Sequence, residues 1–576
     1  MPGINFAPPA DDAGADGWQT EELSAAASSQ LKQIAAHFAP TKSASKPLLS
    51  KLVESDISFQ SLRPADIETA FEDTAFSIRR SKVAGGDDTA SDATDKQGID
   101  AFAEQLSKLL GFAKGVRNVK TKVKVFKVDH QESQLLTSAY MQTWGDADEG
   151  AIQSNATWDC VWEIGAKNVT LKSLNIRDYL EVIGSTAKGG GPMFADCTEA
   201  ALGKTPGFRE QLVPGMDQWL HTIEIQYNIN IGGWEGVSIS DVNDDGLDDL
   251  YVSQPGGLPN RLFTQNEDGT CRDASAESGT DWLNQAHGAV FGDIDNDGDQ
   301  DLVVGVQDGL LVMSNDGSGK FTVARGLILP AAVPYSLTLA DYDQDGDLDL
   351  FACCYDRRSG VNRHRIFAKA IPYHDANNGG RNVLLRNDAT PADGQWNFSY
   401  VTKEAGLDEN NRRFSYAASW EDYDNDGDLD LYIANDFGRN NLFRNDGGRF
   451  KDVAKEAGVE DVSAGMSITW GDYNNDGWMD IYISNMFSSA GNRIAFQRKF
   501  QSDATGETKK LFQRHARGNS LFENAKDGTF RDVSVEAGVT MGRWAWGSRF
   551  IDINNDGWQD LLVGNGFLTQ GKADDL

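Results

Sequence analysis

Cysteine is scarce in this chain. Five residues (Cys160, Cys197, Cys271, Cys353 and Cys354) are scattered over 576 positions. An odd number at such spacing builds no disulfide framework and matches no zinc pattern. Basic charge is also short, with 53 Lys and Arg against 87 Asp and Glu, a formal charge of −34. Phosphate backbones need a basic footprint, so nucleic acid is excluded as an expected partner. No apolar run approaches the ~20 residues of a spanning helix, so no transmembrane segment is expected. The first residues, MPGINFAPPADDAGADG, contain no basic patch followed by an apolar core, and no signal peptide is visible. Catalytic signatures are missing too. There are seven histidines, no Gly-x-Ser-x-Gly elbow, and the triplet Asp436-Phe437-Gly438 has no glycine-rich phosphate loop to accompany it.

What is abundant is aspartate in register. DVNDDGLDD begins at Asp241, with Asn243, Asp245, Leu247 and Asp249 at its third, fifth, seventh and ninth positions. DIDNDGDQD places Asp293, Asp295, Asp297, Asp299 and Asp301 in the same way, and DYDQDGDLD places Asp341, Asp343, Asp345, Asp347 and Asp349. DYDNDGDLD supplies Asp422, Asp424, Asp426, Asp428 and Asp430. The last two copies are DYNNDGWMD, with Asp472, Asn474, Asp476, Trp478 and Asp480, and DINNDGWQD, with Asp552, Asn554, Asp556, Trp558 and Asp560.

Side chains at positions one, three, five and nine, with the carbonyl of position seven, make an oxygen cage that suits calcium better than magnesium, giving up to six Ca²⁺ sites. Glycine at position six permits the reversal. An EF-hand would need a bidentate acid at position twelve. Val252, Val304, Ala352, Ile433, Ile483 and Val563 stand there instead, inside apolar strand patterns. Asn in place of Asp at position three, and Trp at position seven, mark the fifth and sixth loops as the weaker binders.

The loops recur about every 50 residues, twice lengthened by about 30. Each is entered and left by an apolar strand, then followed by a hairpin such as NNLFRNDGGRFKDVAKEAGV (440–459). Four strands per unit of this length predict a mainly β chain containing a β-propeller of six or seven blades, spanning 233–576.

The loops, with QPGGLPNRLF, PYHDANNG, ANDFGRNNLFRND, QRHARGNSLF and RWAWGS, resemble the FG-GAP/VCBS repeats of integrin α-subunit propellers and of the cartilage-acidic-protein-like family. The resemblance covers about residues 186–576. It implies a calcium-stabilised propeller on exported proteins that serve adhesion or binding, and it carries over no catalytic set. Longer relatives continue into an ASPIC/UnbV module, which is not expected here. The sixth unit has its first two strands without a hairpin, so HTIEIQYNINI (221–231) is expected to supply a closing strand.

Strand parity places the two insertions, 355–381 and 486–518, on the face opposite the metal loops. Both are locally basic. The candidate ligand-binding residues there are His374, Asp375, Arg412, Arg413, Arg439, His515, Arg517, Arg543, Trp544 and Trp546. Arginine and tryptophan are favoured at binding hot spots, and solvated insertion loops are the plainer alternative.

Ahead of the repeats, residues 1–20 read as a flexible tail. Residues 21–185 read as an α+β domain in which helices precede a long antiparallel sheet, an NTF2-like arrangement, and 186–232 as a connector. The functional expectation is a binding or adhesion protein for a protein or carbohydrate ligand. Two alternatives stay open: a hydrolase or lyase acting on an anionic glycan, and a structural cell-surface component. The calcium loops point to an extracellular, cell-surface or periplasmic place, whereas the lack of a visible signal leaves the cytoplasm open.

Overall fold

The computed structural model describes residues 19–38, 46–81, 96–131, 133–165, 168–184, 194–222, 236–307, 309–329, 332–357, 369–388, 396–497 and 499–566. The chain divides into two compact units. One comprises residues 1–195 with 489–503, and the other 196–488 with 504–576.

The first unit is built on one eight-stranded sheet. Its path runs from Ile67–Glu72 and Phe76–Ser81 through Val169–Gly184, Gly150–Ile164 and Gln134–Ala147 to Arg117–Gln131, with Val53–Phe59 parallel to Val169–Gly184. Alternate residues of Gln134–Ala147 are buried, as a half-covered strand requires. The helix Gln19–Ala35 buries Ala27, Leu31 and Ile34, spaced to form one helical stripe. These residues join Phe38, Trp158 and Trp162 in the main core. Each fully buried large apolar side chain there contributes about 1.5–3 kcal/mol.

The helix Ser489–Ala495 was expected among the repeats, yet it belongs to this first unit and packs on Arg117–Gln131. Its anchor is Arg493. That guanidinium pairs with Glu21 at 2.8 Å and donates to the Val125 carbonyl at 2.8 Å, both side chains being largely buried. Thr20 adds a bond to Gln497 at 2.7 Å. Arg493→Ala removes charge-assisted bonds worth about 1.5–3 kcal/mol and leaves Glu21 without its cation. The expected outcome is faster amide exchange confined to 489–503 and the first helix; unchanged exchange would show that other contacts hold the segment.

Among its described residues the second unit holds five four-stranded antiparallel sheets and a two-stranded one, in chain order: 237–273, 286–328, 332–400, 415–452, 465–532 and 545–565. First strands of successive sheets lie side by side throughout the series. Second strands such as Asp430–Asn435 and Asp480–Asn485 are buried at every residue, because sheets stack on both of their faces. That explains their continuous apolar runs where a one-sided strand would alternate.

The expected connector is part of this unit from Asp196 onward. It forms helices at Thr198–Leu202 and Gly215–Thr222, with a π-helical turn at Phe208–Leu212. Gln211 ties it to the first sheet, donating to Gln254 and to the Pro259 carbonyl and accepting from Arg261. His221 and Thr222 of the expected closing strand are therefore helical, and 223–231 lie outside the described residues. The sixth sheet shows two strands, Ala545–Ile551 and Asp560–Asn565.

Candidate metal loops and the opposite face

All six acidic stretches form the turn between the first and second strands of a sheet. The turn is set by two left-handed residues. Position four has φ between 54° and 60° in every loop (Asp244 56°, Asn296 59°, Gln344 58°, Asn425 57°, Asn475 55°, Asn555 58°), and the glycine at position six is also positive, as at Gly427 (98°). Asn and Asp tolerate the first conformation and glycine alone adopts the second without strain.

The first aspartate organises each loop through backbone donors. In the fourth loop, Asp422 Oδ1 accepts from Asp426 N at 3.0 Å and Oδ2 from Gly427 N at 2.9 Å. The ninth is the hinge to the rest of the sheet. Asp430 accepts from Tyr423 N at 3.2 Å and, across the sheet, from Asn445 N at 2.7 Å. Asp249, Asp301 and Asp349 bond in the same way to Gln265, Asn315 and Asn387.

Three loops bring carboxylate oxygens within 4.8 Å of one another: Asp293, Asp295 and Asp297; Asp341, Asp343 and Asp349; Asp422, Asp424 and Asp430. Within them Asp295, Asp299, Asp343 and Asp424 each keep an Oδ1 that is buried and has no hydrogen-bond partner; in the fifth loop Asp480 Oδ2 is in the same state. Burial, reinforced by neighbouring carboxylates, lifts Asp301 and Asp349 to about 7 and Asp430 to about 8. A buried, unpaired, mutually repelling set of oxygens is what a hard cation satisfies. The donors that come together therefore fit a divalent metal, through positions one, three and five in the second loop and one, three and nine in the third and fourth. In the first and sixth loops the position-three amide already serves position five, as Asn243 donates to Asp245 and Asn554 to Asp556, each at 3.0 Å.

Two sets of amides link neighbouring sheets. The asparagine closing the third strand reaches back to the preceding loop: Asn315 donates to the Val242 carbonyl (2.8 Å), Asn387 to Ile294 (2.8 Å), Asn445 to Tyr342 (2.9 Å) and Asn524 to Tyr423 (2.9 Å). Position four reaches forward, from Asn296 to Asp347 (2.6 Å) and from Gln344 to Asp428 (3.0 Å). Sequence reasoning missed this role, although the Asn two residues after the LL or LF pair in LLRN, LFRN and LFEN was its signal for three of the four.

The insertions leave the other end of the second strands. Of the ten ligand-face candidates, Asp375, Arg413 and Arg439 converge, while His374 packs against Phe512 and His515 against Tyr373, two rings that stack on each other. His515 is engaged on both nitrogens, Nδ1 at 2.7 Å from the Val462 carbonyl and Nε2 at 3.1 Å from the Tyr373 hydroxyl. The two histidines thus form no acid–base dyad with each other. Arg517 belongs to a separate network with Arg514, Asp461 and Asp532. Arg412 is exposed. Arg543 and Trp544 sit at the sixth sheet, beside Phe487 and Met486, and Trp546 lies 5.9 Å from Tyr416. Between these groups runs an aromatic set that sequence reasoning left out: Tyr335, Tyr355, Phe414, Tyr416 and Phe437. It encloses Asp436, whose carboxylate accepts from Tyr355 Oη at 2.5 Å and is lifted by burial to about 6.

The arginine network carries a pH dependence. Burial alone would raise Asp532, but Arg514, the Ser534 hydroxyl and Arg517 outweigh it and bring the carboxyl down to about 2. Its folded value lies below the unfolded one of about 3.9, so the stabilisation is complete above pH ~4 and is lost as pH falls through about 2. Asp532→Asn should remove about 2 kcal/mol near neutrality and flatten the fall in urea stability between pH 4 and 2. A variant with the wild-type slope would contradict this assignment.

Two cavities stand out among the described residues. One, of about 800 Å³, is in the first unit, lined by Phe76, Val119, Trp144 and Ile152, and contains none of the loop carboxylates. The other, of about 530 Å³, lies between the fourth and fifth sheets beside Asp424, Asp426 and Trp478.

The FG-GAP-like repeat family matches residues 241–304, 293–352, 422–483 and 511–563. The chain therefore carries FG-GAP-like repeats; the first three matches each run from one acidic loop to the strand that leaves the next, and the fourth ends in the strand that leaves the sixth loop. Among characterised proteins, cartilage acidic protein 1 of Xenopus tropicalis is similar, at 27% identity over 223 residues, covering 37% of this chain and 30% of that protein. The chain thus spans less than a third of that relative's length. Among solved structures, an Agrocybe aegerita lectin that recognises non-reducing terminal N-acetylglucosamine matches at 16% identity over 58% of this chain and 75% of its own, with a TM-score of 0.32. A Photorhabdus luminescens Tc holotoxin pore matches at 13% identity over 73% of this chain and 16% of its own, with a TM-score of 0.24. Scores this low define no fold for the present chain. No helix among the described residues is long and apolar enough to cross a membrane.

Proposed function

We propose that the second unit is a calcium-stabilised β-propeller of the FG-GAP/VCBS kind, and that the chain is an extracellular, cell-surface or periplasmic adhesion or binding protein. The ligand, a protein or a carbohydrate, docks on the face opposite the metal loops. The observation that carries the metal assignment is the set of buried, unpartnered carboxylate oxygens in loops two to four. Hard oxygen donors at this spacing favour calcium, which accepts six to eight ligands in flexible geometry. The side-by-side packing of successive first strands supports radial repetition of the sheets.

Loops two to four carry the most carboxylate, whereas the first, fifth and sixth have Asn at position three. Calcium should therefore leave the fifth and sixth loops first on stepwise chelation and loops two to four last, in a titration followed by loop-specific Asp→Ala variants. Equal affinities would contradict the assignment.

The ligand face is tested by capture on protein and glycan arrays with calcium present. Arg412→Glu, an exposed change, should abolish capture without moving the melting temperature. Capture that survives Arg412→Glu and is lost in Trp478→Ala would move the site to the metal-loop side and overturn this reading.

A further inference from the structure

Arg413 precedes the first strand of the fourth sheet, and its side chain is only 8% exposed. One of its nitrogens, Nη1, donates to the Arg439 carbonyl at 2.6 Å, while Nε is buried without a hydrogen-bond partner. Arg439, a second guanidinium, faces the same carboxylate. Asp375 Oδ2 is 3.3 Å from Arg439 Nε and Asp375 Oδ1 is 3.8 Å from Arg413 Nη1. Charge-assisted bonds of this type are normally about 2.7–2.9 Å, and other arginine pairs of the same unit reach that range, as Arg517 with Asp532 (2.9 Å) and Arg381 with Asp408 (2.7 Å). Asp375 thus offsets the charge of two arginines at longer than usual range and leaves Arg413 Nε without a partner. Glu460 takes one further nitrogen of Arg439, at 2.8 Å.

The backbone that carries Asp375 is firmly seated. Gly379 N donates to the Arg412 carbonyl at 2.6 Å and Gly380 N to the Tyr355 carbonyl at 2.9 Å. Gly438 has φ of 97°, and a Cβ there would meet the Ala376 carbonyl oxygen at 2.4 Å, so the turn presses directly on the strand connection. The Asp375 side chain, by contrast, is 37% exposed and can rotate into water with its backbone unmoved.

We propose that Arg413 and Arg439, with exposed Arg412 at the rim, form an oxyanion-binding site whose seat is held in this structure by the chain's own Asp375 carboxylate. The incoming group is a carboxylate or a sulfate carried by the ligand, which a pair of planar guanidinium forks recognises through paired oxygens. This deepens the binding-face reading and rests on it, because the site lies on that face.

The test is calorimetric titration with inorganic sulfate and, separately, with glucuronate, at fixed ionic strength against chloride. Asp375→Asn should bind at least one of them about ten-fold more tightly than the wild type, and Arg439→Gln in that background should remove the gain. A gain with glucuronate alone identifies a carboxylate ligand, and with sulfate alone a sulfated one. Affinities of Asp375→Asn within about two-fold of wild type for both anions would overturn the proposal. If Asp375→Asn fails to fold, the comparison is the rise in wild-type melting temperature with millimolar anion, which Arg439→Gln should abolish; an equal rise in that variant, reflecting only general salt exclusion, overturns the site. A gain in Asp375→Asn without capture of any protein or glycan would sink the binding reading and leave the anion site. Capture without the gain would do the reverse.

Discussion

Asp430→Ala is expected to destabilise the repeat unit by about 2–6 kcal/mol and to abolish metal binding at the fourth loop. The carboxylate accepts from two buried backbone donors, Tyr423 N and Asn445 N. Each would be left without a partner in the alanine variant, at about 1–3 kcal/mol apiece. Against a typical total of about 5–15 kcal/mol, that is a large fraction of the stability. Asp430→Asn separates the two roles, since it keeps the shape and one acceptor while removing the charge. It should retain roughly half of the lost stability in chelator and still fail to bind metal. Urea unfolding with and without calcium checks both variants. If the alanine variant melts like the wild type in chelator, the hinge role of position nine is wrong.

The loops were legible because their information is local. Five oxygens fall within nine residues, a single glycine permits the turn, and apolar residues at position twelve exclude the helical alternative. The strand pairs around them followed from the same registers. What sequence reasoning could not supply were contacts between distant segments. Nothing in SAGNRIAFQ announces that Arg493 pairs with Glu21, 472 positions earlier, rather than joining the basic face. The sequence marks 186–232 as a connector, and only the contacts of Gln211 with Arg261 reveal that its helical part is fastened to the first sheet of the repeat unit.

Charge counts misled in one respect. The insertions are rich in arginine, but Arg381 is paired with Asp408, and Arg514 and Arg517 are both committed to Asp532. A basic segment is therefore not a free basic surface. The asparagine ladder shows the converse. Asn315, Asn387, Asn445 and Asn524 look like ordinary hairpin residues, and only the stacking of sheets reveals that each side chain caps the loop before it.

Calcium should be part of the fold rather than an addition to it. Without the ion, burial and neighbouring carboxylates disfavour the charged forms of Asp301, Asp349 and Asp430, so the metal-free unit must hold protons there or bear the repulsion, and a cation competes with those protons. A site held at about 100 times its dissociation constant adds roughly 2.7 kcal/mol when the unfolded chain does not bind. Three such loops together should move the transition by about 10 °C or more, at roughly 2–4 °C per kcal/mol for a large domain. The direct measurement is the melting temperature of the chain in excess calcium and again in excess chelator. A rise of that size with calcium, absent with magnesium at equal ionic strength, is the predicted result. Equal melting temperatures in calcium and chelator would contradict the account, because the buried carboxylates would then be stable without the cation their geometry calls for.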